Sequence, residues 1–422
     1  MNKLEKLKNS YFASCPIGLE DELFKEIKDL KIREKRRTRG GVYFGGMPKD
    51  FLRVIFYSRI ASRVFRRPYK FNITHEKDLY SYGRQIKWKA IFDLNQSFKI
   101  RTLLGHSEDG KKQSRFGNSI YLSQLLKDAI VDHFREEFSG ERPNVDLENP
   151  DVEFLLYIEP RHGSSDKEEA SLLIDLCGEA LFHRGHRKST GIAPLNENLA
   201  AGIIRKMNLQ FEKPKDIFID GMCGTGTVLI QAILEWSNIP PSYLQVEKLL
   251  KNSQTIIWSF QKLTFFKKSN FLLDHFEFFK KKVHSETQRG MEKLKKRKKC
   301  FYAIDIDNSS LSATEENLRE SHLSPFVEIK KADITNWVPE RSTQGYIFCN
   351  PPYGKRLGES DEELVNLYFK LGENLKKNFK GFNAFILTGN ADLRKAISLT
   401  TQERIPFWNG PIECRLLHYS LY

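Results

Sequence analysis

From Asp216 to Thr388 the sequence alternates short apolar runs with helix-spaced stretches, and that alternation leaves few folds open. The runs Asp216–Asp220, Cys300–Asp305, Val327–Lys331, Gly345–Cys349 and Phe382–Thr388 predict five strands with helical patterns between them. Strands joined by helices form a parallel, doubly wound sheet, because each parallel connection must cross over one face of the sheet. A further helix is expected over Asn196–Met207, ahead of the first strand. Ligands of such sheets bind at the carboxyl ends of the strands, so the residues just after each run are the candidates for chemistry.

Four of those ends carry distinctive residues. The first strand runs into Asp220-Gly221-Met222-Cys223-Gly224-Thr225-Gly226 and then directly into a helix from Thr227. Glycines there let backbone N–H groups and the positive end of a helix approach an anionic or polar ligand, although a simple tight turn has the same look. The segment is not a phosphate-binding P-loop, since no Gly-Lys-Ser/Thr follows, and it lacks the third glycine of the dinucleotide fingerprint. The second strand ends at Asp305, where one carboxylate can take both hydroxyls of a ribose, and Asp333 follows the third. Either acid read alone could equally be a helix cap. The fourth strand ends in Asn350-Pro351-Pro352-Tyr353. Two prolines stiffen that loop, Asn350 offers an amide oxygen and Tyr353 a stacking face; alone, the motif also reads as a loop breaker. An amide oxygen and a carbonyl that accept from an exocyclic NH2 group draw its nitrogen lone pair out of conjugation and make it a better nucleophile.

The rest of the chain is organised around this unit. Tyr11–Cys15 and Gly41–Phe44 read as strands, Gly18–Leu30 and Phe51–Phe65 as helices, the second ending at Arg66-Arg67-Pro68; together they suit a small α+β unit over residues 1–70. Over residues 71–178 the pattern becomes helix, strand, helix, strand, strand, with Phe98–Leu104, Val152–Ile158 and Ala170–Leu176 as the strands and Ser119–Phe138 as a long helix. Phe182–Pro194 is basic and polar and reads as a connector within residues 179–195. Residues 196–422 form the sheet domain, interrupted by an insertion at about 237–299. Its last twenty residues, 280–299, hold ten basic side chains and two acidic ones, which is either a solvated helix face or a phosphate-contacting surface.

Charge and cysteine usage narrow the partners. Sixty-eight Lys and Arg against 54 Asp and Glu give a net charge of +14, which attracts polyanions, nucleic acid first. The six cysteines, including Cys349 and Cys223, are scattered without a CxxC pair, which argues against a zinc site and a disulfide framework and fits a reducing intracellular compartment. The charged N-terminus and the lack of 18 consecutive apolar residues speak against export and membrane spanning, so a cytoplasmic location is expected. Cys349 lies at the buried end of a strand and no second cysteine motif accompanies it, which disfavours a cysteine-dependent carbon methylation; Cys223 reads as a small packing residue.

With these residues in view, Asn196–Tyr422 resembles the class I S-adenosylmethionine-dependent methyltransferases of amino groups, with Asn350–Tyr353 as their NPPY motif. The whole chain resembles the bacterial 23S ribosomal RNA guanine-N2 methyltransferases that carry an N-terminal ferredoxin-like domain and a THUMP domain. The segments that carry the resemblance include residues 12–23, 117–134, 142–151, 171–201, 220–233 and 349–358. It implies a Rossmann-like α/β methyltransferase domain behind two α+β domains. It also implies that Asp220, Gly221, Cys223, Gly224 and Gly226 cradle the methionine part of the cofactor, that Asp305 takes its ribose and that Asp333 takes its adenine amino group. Pro194, Asn196 and Glu197 match the family's element bordering the cofactor. The resemblance further implies that Asn350 and the Pro351 carbonyl hold the target amine, that Pro352 completes the loop and that Tyr353 stacks on a flipped-out base. No metal is needed. The implied partner is RNA, as 23S rRNA or a pre-ribosomal particle. Adenine-N6 DNA, glutamine and tRNA guanine-N2 methylation remain as alternatives, with an RNA-binding assembly factor as the non-enzyme reading. Two departures stand out: the 422 residues hold no counterpart of the second, 7-methylguanosine-forming half that some relatives carry, and residues 236–299 match poorly apart from their aromatics.

Overall fold

The computed structural model describes residues 4–105, 114–159, 167–188, 195–211, 213, 216–297, 300–340, 344–354 and 361–422. They fall into two compact units, the first holding residues 1–14, 23–181 and 249–280, the second residues 15–22, 182–248 and 281–422.

The first unit is built on one eight-stranded sheet of β1 (Glu5–Lys6), β2 (Ser10–Ser14), β3 (Glu34–Thr38), β4 (Gly41–Gly45), β5 (Arg63–Ile73), β6 (Phe98–Leu104), β7 (Val152–Glu159) and β8 (Glu168–Asp175). Its order is β3-β4-β2-β5-β8-β7-β6, with β1 added to β5. The antiparallel β5 and β8 pair joins the strands of the first 70 residues to those of the next hundred in a single sheet. Phe51–Phe65, whose period reads as one helix, is in fact divided: a helix over Asp50–Tyr57, then β5, which runs straight through Arg66-Arg67-Pro68. Pro68 is tolerated because the register against β8 shifts between Arg66 and Tyr69, so its missing N–H costs no ladder bond. The charged run Glu34–Thr38, which has no apolar alternation to announce it, is an edge strand.

Residues 249–280, placed by composition in the insertion, pack inside the first unit. Trp258, Phe260, Phe276 and Phe279 are buried against the helix Asp50–Tyr57, with Phe56 5.0 Å from Trp258 and Phe51 5.2 Å from Phe260 between ring centroids.

The second unit holds β9 (Asp216–Asp220), β10 (Phe301–Asp305), β11 (Val327–Lys331), β12 (Gln344–Cys349), β13 (Phe382–Thr388), β14 (Glu403–Asn409) and β15 (Ile412–Ser420) in the order β11-β10-β9-β12-β13-β15-β14. All neighbours from β11 to β13 are parallel, and β15 runs antiparallel to β13. Ile217, Phe218, Ile219, Ala303, Ile304, Ile347 and Phe348 are buried, as expected of strands covered on both faces. The chain leaves β9 in one direction along the sheet through β10 and β11 and in the other through β12, so the topological switch lies between β9 and β12.

Candidate active site

The two central strands bring the glycine turn and the Asn-Pro-Pro-Tyr loop side by side. Phe348 of β12 is registered opposite Asp220 of β9, and the next N–H, of Gly221, donates to the Phe348 carbonyl at 2.8 Å. A side chain at Gly221 would put its Cβ 2.8 Å from Ile334 Cγ1 and 2.9 Å from Cys349 Sγ, so only glycine lets the turn lie this close to the end of β12. Gly224 and Gly226 have φ of +53° and +74°, and Gly226 is the N-cap of the helix Thr227–Ser237. The positive end of that helix therefore opens on the turn.

The turn is braced from the helix Asn308–Glu320. Thr314 Oγ1 donates to the Gly224 carbonyl at 2.8 Å, and Asn317 Nδ2 to the Thr225 carbonyl at 2.9 Å. Asp305, at the end of β10, accepts the Gly224 N–H at 2.9 Å and the Asp307 N–H at 3.0 Å. The helix cap is Asp307, which accepts from Ser310 N at 2.8 Å, not Asp305. Asp333 follows β11 and fixes a turn, one oxygen accepting Thr335 N and Oγ1, each at 2.8 Å.

Two buried acceptors at the ends of these strands, Asp220 Oδ1 and Asn350 Oδ1, have no hydrogen-bond partner among the described residues. Asp220 is 1% exposed; burial pushes its pKa up to about 8, the Asp305 charge adds to the rise, and the Leu229 and Met222 amides oppose it. Burial also raises the thiols of Cys223 and Cys349, so neither is poised as a thiolate. Tyr353 lies on Gly389, where a Cβ would come 2.7 Å from its Cε2 and 3.0 Å from Ile412 Cγ2, and Cys414 Sγ is 3.8 Å from its hydroxyl. The β14–β15 hairpin thus walls the Tyr353 side, a contribution that no local motif announces.

Pro194 lies outside the described residues. Asn196 is the extended N-cap of the helix Glu197–Met207, and Glu197 is 2% exposed. The described part of the segment that reads as a connector is packed against them. Arg184 is 2% exposed, donates its N–H to Glu197 Oε2 at 3.2 Å and its guanidinium to Gln231 Oε1. His186 Nε2 lies 3.5 Å from Glu197 Oε1, and burial lowers its pKa against the pull of Glu197. Arg187 Nη2 donates to the Leu195 carbonyl at 2.6 Å and to Thr227 Oγ1 at 2.7 Å, tying the Asn196 helix to the start of the glycine-turn helix. The signal available in the sequence is three ionisable side chains in four residues upstream of an acid at a helix start. Among the described residues no group of three or more His, Cys, Asp or Glu could hold a metal ion.

The model of the RMKL-like methyltransferase domain matches residues 184–418. The chain belongs to that family. Models of the RlmL ferredoxin-like domain and of the THUMP domain match residues 10–65 and 74–162. Relatives named ribosomal RNA large subunit methyltransferase K/L include those of Syntrophotalea carbinolica, 31% identical over 97% of this chain and 53% of the relative, and Cellvibrio japonicus, 32% identical over 98% and 51%. The chain spans about half the length of the curated relatives it matches. A crystal structure of SMU.472, a putative methyltransferase complexed with SAH, superimposes with a TM-score of 0.76 at 22% identity, covering 100% of this chain and 99% of that one. That likeness bears on fold, and the expected Rossmann-like methyltransferase domain behind ferredoxin-like and THUMP domains is what the chain has.

Proposed function

We propose that this methyltransferase transfers the methyl group of S-adenosylmethionine to the exocyclic N2 of a guanine in 23S ribosomal RNA, free or in a pre-ribosomal particle in the cytoplasm. One observation carries the reading: the glycine turn and the buried, unpartnered amide oxygen of Asn350 stand at the ends of adjacent strands. The relatives' names, the THUMP match and the net charge of +14 favour an RNA acceptor over the adenine-N6 DNA or glutamine acceptors that an Asn-Pro-Pro-Tyr loop could also hold.

The residues fit the cofactor. Nothing lies within 4 Å of a Cβ built at Gly224, the turn runs directly into a helix N-terminus, and Asp220 Oδ1 is an orphaned buried acceptor. Asp220, Gly221, Cys223, Gly224 and Gly226 would hold its methionine part, with Asn196 and Glu197 alongside. Asp305 keeps lone pairs for a ribose diol beyond the two it gives to backbone amides, since a carboxylate accepts about four hydrogen bonds. Asp333 would take the adenine amino group, and Ile306, 66% exposed beside Asp305, offers the ring an apolar face. When bound, S-adenosylmethionine supplies an electrophilic methyl group on a sulfonium.

The chain's own part is to hold and orient the amine. Asn350 Oδ1 and the Pro351 carbonyl accept its two N–H groups and draw the nitrogen lone pair out of conjugation with the ring, so that it is localised on nitrogen for attack. These bonds strengthen as the nitrogen pyramidalises, which places their benefit in the transition state. Pro352 stiffens the loop, and Tyr353 stacks on the base, offsetting the few kcal/mol needed to unstack it. The test is methylation of unmodified 23S rRNA with radiolabelled cofactor, followed by nucleoside mass analysis. N2-methylguanosine is expected; label on adenine N6 or on protein would overturn the assignment. Asn350→Ala should lower kcat by about 10²–10³-fold, the cost of losing one preorganised transition-state partner, while cofactor affinity measured by calorimetry stays near wild type.

A further inference from the structure

The ten cations of residues 280–299 are not equivalent, and the structure sorts them. Lys280 is buried and paired with Glu277 at 2.8 Å. Lys293 bonds the Trp236 carbonyl, and Arg297 donates to the Lys213 and Asp216 carbonyls at 2.8 and 2.9 Å while stacking on Phe211 and Trp236. Lys293 and Arg297, with Gly290 pressed against Ile239 and the Ser237 carbonyl, hold the end of the helix Asn270–Lys295 in place within the second unit. Lys298 and Lys299 lie outside the described residues.

The remaining five, Lys281, Lys282, Arg289, Lys295 and Lys296, are exposed. At about 100° per residue they fall within an arc of about 140°, and they extend roughly 22 Å along the axis. Lys282, Arg289 and Lys296 repeat every seven residues, about 10.5 Å apart. Glu292 is the one acid on that arc, and it pairs with Lys295 at 2.7 Å. Glu286 lies at the arc's margin, 3.8 Å from Lys282 and 3.9 Å from Arg289. At about one Debye length apart the seven-residue repeats are largely screened from one another, so the positive potential that phosphates relieve comes mainly from the adjacent like charges at both ends.

We propose that this stripe is a docking surface for the RNA backbone, one that positions the substrate without reading its sequence. The proposal rests on the RNA-methyltransferase reading above. Charge complementarity selects the occupant: five outward cations with one acid among them match a run of phosphates. The stripe ends near Asp216, at the amino edge of the sheet, whereas the candidate active site lies beyond Asp220, at the carboxyl edge, so the two are separated by on the order of 15 Å of strand. Only an RNA long enough to bridge that distance engages both.

The experiment measures the salt dependence of binding by fluorescence anisotropy, using a labelled RNA duplex of about 20 base pairs and a labelled single strand of about four nucleotides. The proteins are wild type, K282Q/R289Q/K296Q and the charge-keeping K282R/R289K/K296R. For the duplex, the slope of log affinity against log salt should shrink by about 2 to 3 in the Gln variant, at ~0.9 for each phosphate that is no longer neutralised, and stay at the wild-type value in the charge-keeping one. Short-strand binding and cofactor affinity should not change. A Gln variant with the wild-type slope, or a charge-keeping variant whose slope falls, overturns the proposal; the first result, with duplex binding intact, leaves a protein partner as the stripe's occupant. Wild-type protein that binds neither RNA removes the RNA reading itself, a result distinct from failure of the stripe.

Discussion

Asp220 is the buried carboxyl that closes β9 before the glycine turn. Its carboxyl titrates near 8 because burial, and then the charge of Asp305, disfavour ionisation. An acid raised above its unfolded value binds its extra proton in the folded state, so the stability it confers is full below the ordinary carboxyl range and is lost as pH rises toward 8. Thermal midpoints of wild type and Asp220→Asn should therefore diverge between about pH 5 and about pH 8, with the wild type falling more steeply. The cofactor carries a sulfonium and an ammonium, which favour the ionised carboxylate. Wild-type affinity should rise from about pH 6 to about pH 9 with proton release, seen in calorimetry as a dependence on buffer ionisation enthalpy, and Asp220→Asn should show neither. A flat wild-type profile would separate Asp220 from the cofactor. The acid itself was legible as the residue closing a strand before a glycine turn. Its protonation was not, because that depends first on burial by the surrounding elements and then on Asp305, 85 positions away in the chain.

At the scale of elements, the glycine turn is shaped by its neighbours as much as by its own glycines. Thr314 and Asn317 bond two of its carbonyls from one helix, and Arg187 joins Leu195 to Thr227 on the other side. Arg187→Ala should raise the dissociation constant for S-adenosylhomocysteine by about tenfold, the cost of losing charge-assisted hydrogen bonds. Arg187→Lys should restore part of it, and unchanged affinity in the Ala variant would make Arg187 a packing residue only. Gly221→Ala tests the approach of the turn to β12. A methyl group 2.8 Å from Ile334 and 2.9 Å from Cys349 forces one of them to move, at about 1–3 kcal/mol, read by urea unfolding. Helix periods and strand runs placed these elements to within a residue or two, as for β9, β10 and β11. They failed at β5, where a register shift accommodates Pro68; residues 182–188 are irregular, as a connector should be, but polar composition concealed the burial of Arg184 and His186.

On the scale of the whole molecule, residues 249–280 belong to the core of a unit from which they are distant in sequence. A chain cut to residues 1–181 would lose Trp258, Phe260, Phe276 and Phe279 from the face of Phe51 and Phe56. It should bind a hydrophobic dye and lack the near-ultraviolet dichroism of the full chain, whereas adding residues 249–280 back through a linker should restore both. A well-ordered 1–181 fragment would show that this aromatic layer is dispensable. What the sequence determined by itself was local: an alternation of strands and helices, and glycine, acid and proline signals at strand ends, because hydrophobic period and backbone freedom act over a few residues. The tertiary structure alone decided which strand ends meet, which arginines are buried and which lysines of a uniform basic run face outward. Those outcomes rest on contacts between residues tens to hundreds of positions apart, such as Gly221 with Cys349 and Arg297 with Asp216, and no local pattern encodes them.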